Sequence, residues 1–192
     1  MNKIVFATNN KNKLAEVANQ LGGDFELITL EELGCTEELA ETADTLEGNA
    51  WQKARYVAKT YGVNCFADDT GLEIACLNGE PGVYSARYAG QQKSAEDNMA
   101  LVLEKMKGEK NRKAQFRTAI ALILNGEEHL FEGKVDGEIA EAKSGAKGFG
   151  YDPIFIPEGY TKTFAEFSME EKNTISHRGR AVAKLVDYLK TT

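Results

Sequence analysis

The sequence predicts an α/β fold built on one mixed sheet, and three observations carry that prediction. The first 70 residues alternate strand, helix, strand, helix and strand. A long apolar run at residues 114–124 is followed by Asn125-Gly126, a strong hairpin signal, and by a run at 129–135 that would return antiparallel. Ala181, Val182, Leu185, Val186 and Leu189 lay an apolar stripe along a C-terminal helix. A chain of 192 residues has room for one domain, spanning residues 1–192, with at most an inserted lobe.

Each element has its own signal. Residues 3–8 (KIVFAT) form a buried opening strand, which 9–12 break. Leu14, Val17, Ala18 and Leu21 recur at helical spacing, and Gly22-Gly23 end that helix. Residues 25–30 read as a second strand, whereas 31–49 are acidic and resist assignment. Trp51, Ala54, Val57, Ala58 and Tyr61 line one face of a helix that closes at Gly62. Residues 64–68 (NCFAD) make a short buried strand, and a further strand over 72–77 is expected to stop at Asn78-Gly79. Ser94 and Asp97 suggest a capping box for a helix carrying Met99, Val102, Leu103 and Met106. The whole reads as a mixed-sheet domain with scope to elongate into two lobes around a cleft.

Composition narrows the class. With 42% apolar and 28% charged residues, the chain is neither a disordered tail, a collagen-like rod nor a coiled coil. No apolar run approaches the ~20 residues of a membrane span. Met1-Asn2-Lys3 leads directly into a strand without the apolar stretch of a signal peptide, so no membrane association and a cytoplasmic location are expected. The net charge of −7 does not favour nucleic acid, although a local basic pocket can still hold a small anion. Cys35, Cys65 and Cys76 form no C-x-x-C pair and are expected to be reduced thiols. His129 and His177 are the only histidines, so any metal falls mainly to carboxylates, which suits Mg²⁺.

Four segments carry side chains suited to chemistry. Thr8, Asn9, Asn10, Lys11, Asn12 and Lys13 occupy a strand-to-helix junction, where free backbone N–H groups suit a phosphate chain. The segment lacks both G-x-x-x-x-G-K-[ST] and G-x-G-x-x-G, and a polar turn with solvated lysines is the alternative. Asp68 and Asp69 end a buried strand, where unpaired carboxylates are costly. Adjacent strand residues face opposite ways, so only one need meet a ligand unless the strand bends. Mg²⁺ and a water nucleophile would account for the charge, and an Asx-type turn before Gly71 is the plainer account. The acidic stretch 37–47 could add a metal ligand to what is otherwise a solvated face. In Gly148-Phe149-Gly150-Tyr151-Asp152-Pro153, Phe149 could stack on a base and Asp152 could accept from ring N–H groups, or Phe149 could turn into the core. Lys172, with Ser176-His177-Arg178-Gly179-Arg180, supplies donors for the O6 of a keto purine, or is simply helix-end polarity.

Together these segments resemble the noncanonical purine nucleoside triphosphate pyrophosphatases, the inosine triphosphatase family. The matching blocks are IVFATNNKNKLAEV at 4–17, Asn49-Ala50-x-x-Lys53-Ala54, and FADDTGLEI at 66–74. They continue with PGVYSARYAG at 81–90, GFGYDPIF at 148–155 and EEKNTISHRGRA at 170–181. The resemblance implies an elongated, two-lobed mixed-sheet α/β fold flanked by helices, a homodimer, and Mg²⁺-dependent hydrolysis of ITP, dITP and XTP to the monophosphate and pyrophosphate. It implies that residues 8–13 hold the triphosphate with Lys53. Asp69 would be the catalytic acid/base residue and a metal-site member, and Thr70 would touch the substrate. Phe149, Gly150, Tyr151, Asp152, Lys172, His177 and Arg178 would bind the base. Two departures stand out. Asn9 replaces the family's usual glycine, which points to a tighter phosphate loop. Ala40-Glu41-Thr42-Ala43 replaces Glu-Glu-Thr-Gly, so Glu41 or Glu38 would have to serve the metal.

The expected chemistry is attack on the α-phosphorus by water that Asp69 positions or deprotonates, with lysines and Mg²⁺ neutralising the triphosphate. Two rivals share these motifs: a pyrophosphatase for modified pyrimidine nucleotides, and a catalytically inactive purine nucleotide sensor.

Overall fold

A computed structural model describes residues 2–192 of the protein. Strand β1 (Asn2–Phe6) buries Ile4, Val5 and Phe6. It pairs parallel with β2 (Phe25–Ile28) on one side and with β3 (Cys65–Ile74) on the other, placing Val5 opposite both Ile28 and Cys65. With β4 (Lys113–Leu124), β5 (Glu127–Ile139) and β6 (Phe155–Pro157), the sheet has the order β2-β1-β3-β4-β5-β6. β5 and β6 run antiparallel, with Ile139 opposite Phe155, so the sheet is mixed and the predicted α/β class holds. Asn125 and Gly126 carry β4 into β5 with φ of 52° and 85°, the left-handed geometry a two-residue hairpin requires. Among the described residues, no helix is long and apolar enough to cross a membrane. All three cysteines are free, and burial pushes the Cys65 thiol up to about 12.

The chain divides into two compact units. Unit one comprises the chain up to Asp69, Thr118–Gly133 and Arg178–Thr192; unit two comprises Thr70–Arg117 and Lys134–His177. Unit one has two apolar layers set by the period-two alternation of its strands. Ile4, Phe6 and Phe66 pack with Val17 and Leu21 of α1 (Lys11–Leu21) and with Val182, Leu185 and Leu189 of α6 (His177–Leu189). The Phe6 and Phe66 rings stack at 4.5 Å. Val5, Ala7, Cys65 and Ala67 turn the other way, onto Ala50, Ala54 and Val57 of α3 (Leu46–Tyr61). In unit two, Leu72, Ile74, Phe116, Ile139 and Phe155 enclose a core with Met99 and Val102 of α4 (Ala95–Lys105) and with Phe164.

Several elements depart from the sequence reading. The strands expected over 64–68 and 72–77 are one strand of ten residues, with no turn before Gly71. The two aspartates find partners on opposite faces, so the chain need not bend to expose them. Beyond Ile74 the chain tightens into a 3₁₀ turn, Ala75–Leu77, closed by Asn78 at φ 55°. β2 ends at Ile28, because Thr29 and Glu32 form a reciprocal capping box that opens α2 (Leu30–Leu33). α3 begins at Leu46, capped by Thr45, a full turn before Trp51. The Ser94 hydroxyl accepts from Asp97 N, but the Asp97 carboxylate accepts from Gln92 instead of closing the expected box. Finally, Ser168 and Glu171 cap a separate helix, α5 (Met169–Ile175), so Lys172 does not open the last helix.

Candidate active site

Adjacent positions on a strand face opposite sides of the sheet, and the two aspartates of β3 follow that rule. Asp68 shares the face of Phe66 and meets α1 and α6. Asp69 shares the face of Ala67 and meets α3.

On the Asp68 side, the junction after β1 is organised by its own side chains. Thr8 Oγ1 accepts from Asn10 N at 3.1 Å. Asn10 Oδ1 accepts from Asn12 N at 3.0 Å and Lys13 N at 3.2 Å, which caps α1. Asn9, Lys11 and Asn12 are exposed. Among the described residues, the non-glycine positions with positive φ are Asn78, Lys93 and Asn125, so Asn9 occupies its place without needing glycine. Lys13 Nζ donates to Asp68 Oδ1 at 3.0 Å, and Arg178 Nε donates to Asp68 Oδ2 at 3.1 Å. The Arg178 guanidinium also donates to Glu16. Asp68 is 1% exposed and Arg178 3%, so this is a buried ionic network. Burial alone would raise the Asp68 carboxyl, but Lys13, Arg178 and Lys53 overcome it and hold the group well below the usual carboxylate range. Burial lowers the proton affinity of Lys13, with Asp68 opposing it.

On the Asp69 side, α3 supplies the partners. Its early start puts Asn49 and Lys53, four residues apart, on the same buried face as Ala50 and Ala54. Asn49 Nδ2 donates to Asp69 Oδ2 at 2.9 Å, and Asn49 Oδ1 accepts from Ala43 N at 2.9 Å. Lys53 Nζ donates to Glu41 Oε1 and to the Asp68 carbonyl, both at 2.6 Å. Burial would lower the Lys53 ammonium, but Glu41, Asp68 and Asp69 raise it and keep it charged. Glu41 is correspondingly held low, its burial outweighed by Lys53. Asp69 is raised, first by burial and further by Glu41, with Lys53 and Lys13 only partly compensating. Glu41 is therefore the acid of the 37–47 stretch that reaches this cluster, while Glu38 is exposed.

Among the described residues, no group of three or more His, Cys, Asp or Glu side chains is disposed to hold a metal. Mg²⁺ bound through one or two carboxylates, phosphate oxygens and water needs no such cage. Asp69, whose carboxyl feels the Glu41 charge, and Glu41 offer the two carboxylates such a site needs.

The remaining predicted residues belong mostly to unit two. Lys172 Nζ donates to Asp152 Oδ2 at 2.7 Å, and Phe149 N donates to the same oxygen at 3.0 Å. The Lys172 ammonium lies 4.8 Å from the centre of the Phe149 ring, which is half-buried and outside the hydrophobic core. Gly148 is required twice over: its φ is 72°, and a Cβ there would stand 2.2 Å from Asp152 Oδ2. Gly150 has φ 61°. Tyr151 is a core residue whose hydroxyl donates to Ser85 O at 2.6 Å, and burial pushes its phenol above the ordinary range. The His177 ring stacks on Phe116 at 4.6 Å. Thr70, half-buried, is the first residue of unit two.

The structure thus gathers Thr8, Asn10, Lys13, Asp68 and Arg178 on one face of unit one, and Lys53, Asp69 and Glu41 on the other. In unit two it gathers Phe149, Asp152 and Lys172. Sequence reasoning gave no role to Glu16, Asn49 or Gln52. The available signal for Asn49 was an amide on the apolar face of a helix, one turn before Lys53. A concavity of about 670 Å³ in unit two contains none of the predicted residues. Its lining includes Glu73, Asp136, Glu138 and Glu158, which would repel a polyphosphate.

A model of the Ham1 family matches residues 4–188. The chain is 57% identical over 190 residues to a dITP/XTP pyrophosphatase of Flavobacterium johnsoniae, covering 99% of both. It is 54% identical over 190 residues to a dITP/XTP pyrophosphatase of Porphyromonas gingivalis, covering 98% of both. Among solved structures, it is similar to the Ham1 protein of Staphylococcus aureus, with TM-score 0.89, 42% identity and 98% of each chain covered. The HAM1 protein of Coxiella burnetii gives TM-score 0.91 at 39% identity over 100% of both chains. The mixed sheet flanked by helices is the fold these neighbours share, and the chain belongs to the Ham1 family, the dITP/XTP pyrophosphatase relatives that its sequence blocks resemble.

Proposed function

We propose that this protein hydrolyses noncanonical purine nucleoside triphosphates, ITP, dITP and XTP, to the monophosphate and pyrophosphate, with Mg²⁺ as cofactor. The observation that carries the reading is the opposite treatment of two adjacent carboxylates on β3. Asp68 is held ionised by cations, while Asp69 is pushed towards higher proton affinity. Environments that drive neighbouring acids apart in this way distinguish a structural anion from a group able to take a proton.

In this mechanism the residues 8–13 and Lys53 receive the triphosphate. The N-terminus of α1 offers its partial positive charge, while the Asn10 side chain takes the Asn12 and Lys13 N–H groups. Lys13 and Lys53 offset charge that develops on the departing pyrophosphate. Asp69, oriented by the Asn49 amide, accepts the proton of the water that attacks the α-phosphorus. Asp69 and Glu41 would hold Mg²⁺, which would supply electrostatic stabilisation as a Lewis acid.

Phe149, Asp152 and Lys172, which the resemblance assigns to the base, lie together in unit two. Lys172, a donor-only side chain, stands beside the Phe149 ring, and Phe149 offers a half-buried aromatic face. An O6 acceptor satisfies such donors, whereas a 6-amino group leaves them unpaired at a cost of about 1–3 kcal/mol per buried group.

Pyrophosphate release from ITP, dITP, XTP, ATP and GTP, with and without Mg²⁺, tests the reading. Turnover of the first three, dependent on Mg²⁺, is expected. Absence of pyrophosphate from ITP, dITP and XTP alike overturns it.

A further inference from the structure

We propose that two carboxamides of α3, Asn49 and Gln52, are positioning residues that make Asp69 and Glu41 act at one locus. The inference rests on the hydrolytic reading above and adds to it the device that registers its two carboxylates.

The two acids come from unrelated pieces of chain. Asp69 lies on a strand whose backbone is fixed by its neighbours in the sheet. Glu41 lies in a stretch without helix or strand, so nothing in its local backbone fixes where its carboxylate goes. The stretch is instead fastened to α3 side chain by side chain. Asn49 Oδ1 accepts from Ala43 N at 2.9 Å. Gln52 Oε1 accepts from Thr42 N at 2.9 Å, and Gln52 Nε2 donates to Thr42 Oγ1 at 2.9 Å. Consecutive backbone N–H groups, the two that follow Glu41, are thus taken by amides one helical turn apart on a rigid element.

Asn49 does a second thing. Its Nδ2 donates to Asp69 Oδ2, so a single planar amide, wholly buried, ties the strand carboxylate to the loop. An amide suits both tasks because it presents one acceptor and two donors in a fixed plane. A carboxylate at 49 would keep the acceptor for Ala43 N and face Asp69 with a like charge. An apolar residue would lose both bonds. Lys53, one turn further on, completes the arrangement by holding Glu41 itself. Neither carboxamide need touch the substrate, and both act through Asp69 and Glu41.

The experiment uses the full chain and Mn²⁺ alone as a probe of the paired carboxylates, titrated by its electron paramagnetic resonance signal without nucleotide. Steady-state kinetics with ITP run alongside. Asn49→Ala is expected to weaken Mn²⁺ binding and lower kcat by about 10- to 100-fold each, the range for residues that orient metal ligands, while KM moves less. Gln52→Ala, on the exposed side of the clasp and so safe for folding, is expected to weaken Mn²⁺ binding by about tenfold. Gln52→Glu, which keeps an acceptor for Thr42 N, restores most of that loss. Wild-type Mn²⁺ affinity in Gln52→Ala together with a folded Asn49→Ala overturns the proposal. So does failure of Gln52→Glu to recover affinity, or absence of Mn²⁺ binding by the parent protein. If Asn49→Ala does not fold, the Gln52 pair decides alone. A parent protein that binds Mn²⁺ but releases no pyrophosphate refutes the hydrolytic reading and leaves the positioning test intact.

Discussion

Asp68 and Asp69 are neighbours on one strand, yet the two faces of the sheet give them opposite surroundings. Towards α1 and α6, Asp68 meets the charged ends of Lys13 and Arg178, with Glu16 completing a buried network. Towards α3, Asp69 meets a neutral amide, and burial raises its proton affinity against the pull of Lys53 and Lys13. The first face balances charge and so locks a structure. On the second, burial favours the protonated carboxyl, a setting suited to a group that takes up a proton. A single strand thereby separates an anion that holds the fold from an anion available for chemistry, and the separation costs only the pleat.

Substitutions at the two positions break this comparison most directly. Asp69→Asn removes the proton acceptor while preserving shape and the contact with Asn49. Loss of about 10²–10⁴-fold in ITP turnover is expected from general-base removal, with little change in thermal midpoint. Parent-like turnover would remove Asp69 from the mechanism. Asp68→Asn removes the anion shared by Lys13 and Arg178, leaving Lys13 without its ion-pair partner and Arg178 with Glu16 alone, a change that costs about 3–5 kcal/mol. Urea unfolding should record that loss as a lower midpoint with an unchanged slope. Equal stability of Asp68→Asn and Asp69→Asn would erase the distinction between the two faces.

The weakest expected effect sharpens the contrast by turning to charge that is fully exposed. Glu171 is held below its usual value of 4.5 by the Ser168 backbone N–H, then by the Ser168 hydroxyl and Lys162. A depressed folded value means the group favours the folded state above pH 4.5, and that favour fades as pH falls through the lower folded value. The thermal midpoint of Glu171→Gln should therefore lie slightly below the parent at neutral pH and converge with it in acid. A gap that widened on acidification would contradict the sign.

Much of the fold was legible because its signals are local. Val17 and Leu21, the Gly62 stop, the Asn125-Gly126 turn and the stripe from Ala181 to Leu189 each follow from spacing or backbone preference within a few residues. The turn expected before Gly71 failed for a different reason. Two aspartates in sequence resemble a chain about to leave the sheet, and only partners far away in sequence allow the strand to continue through them. α2 and α5 were missed because their brevity leaves capping residues, Thr29 and Ser168, as the main signal. Within the candidate site, Lys13, Lys53, Asp69, Asp152 and Lys172 were visible as residue types in blocks. Arg178 was expected to meet a base, and its bonds to Asp68 and Glu16 could be found only in three dimensions. The importance of Asn49 was hidden, since an amide shows its role only through what it touches.

By itself, the sequence determined the succession of elements, the alternation along β1 and β3, and the stock of charged and aromatic groups, because each is fixed by covalent order and short-range preference. Tertiary structure alone decided which aspartate is held low by Lys13 and Arg178 and which is raised by burial. It also decided that Glu41 rather than Glu38 reaches Lys53. Those outcomes depend on distances between α1, α3, α6 and β3, and charge interactions fall off with distance through space, which position along the chain does not set.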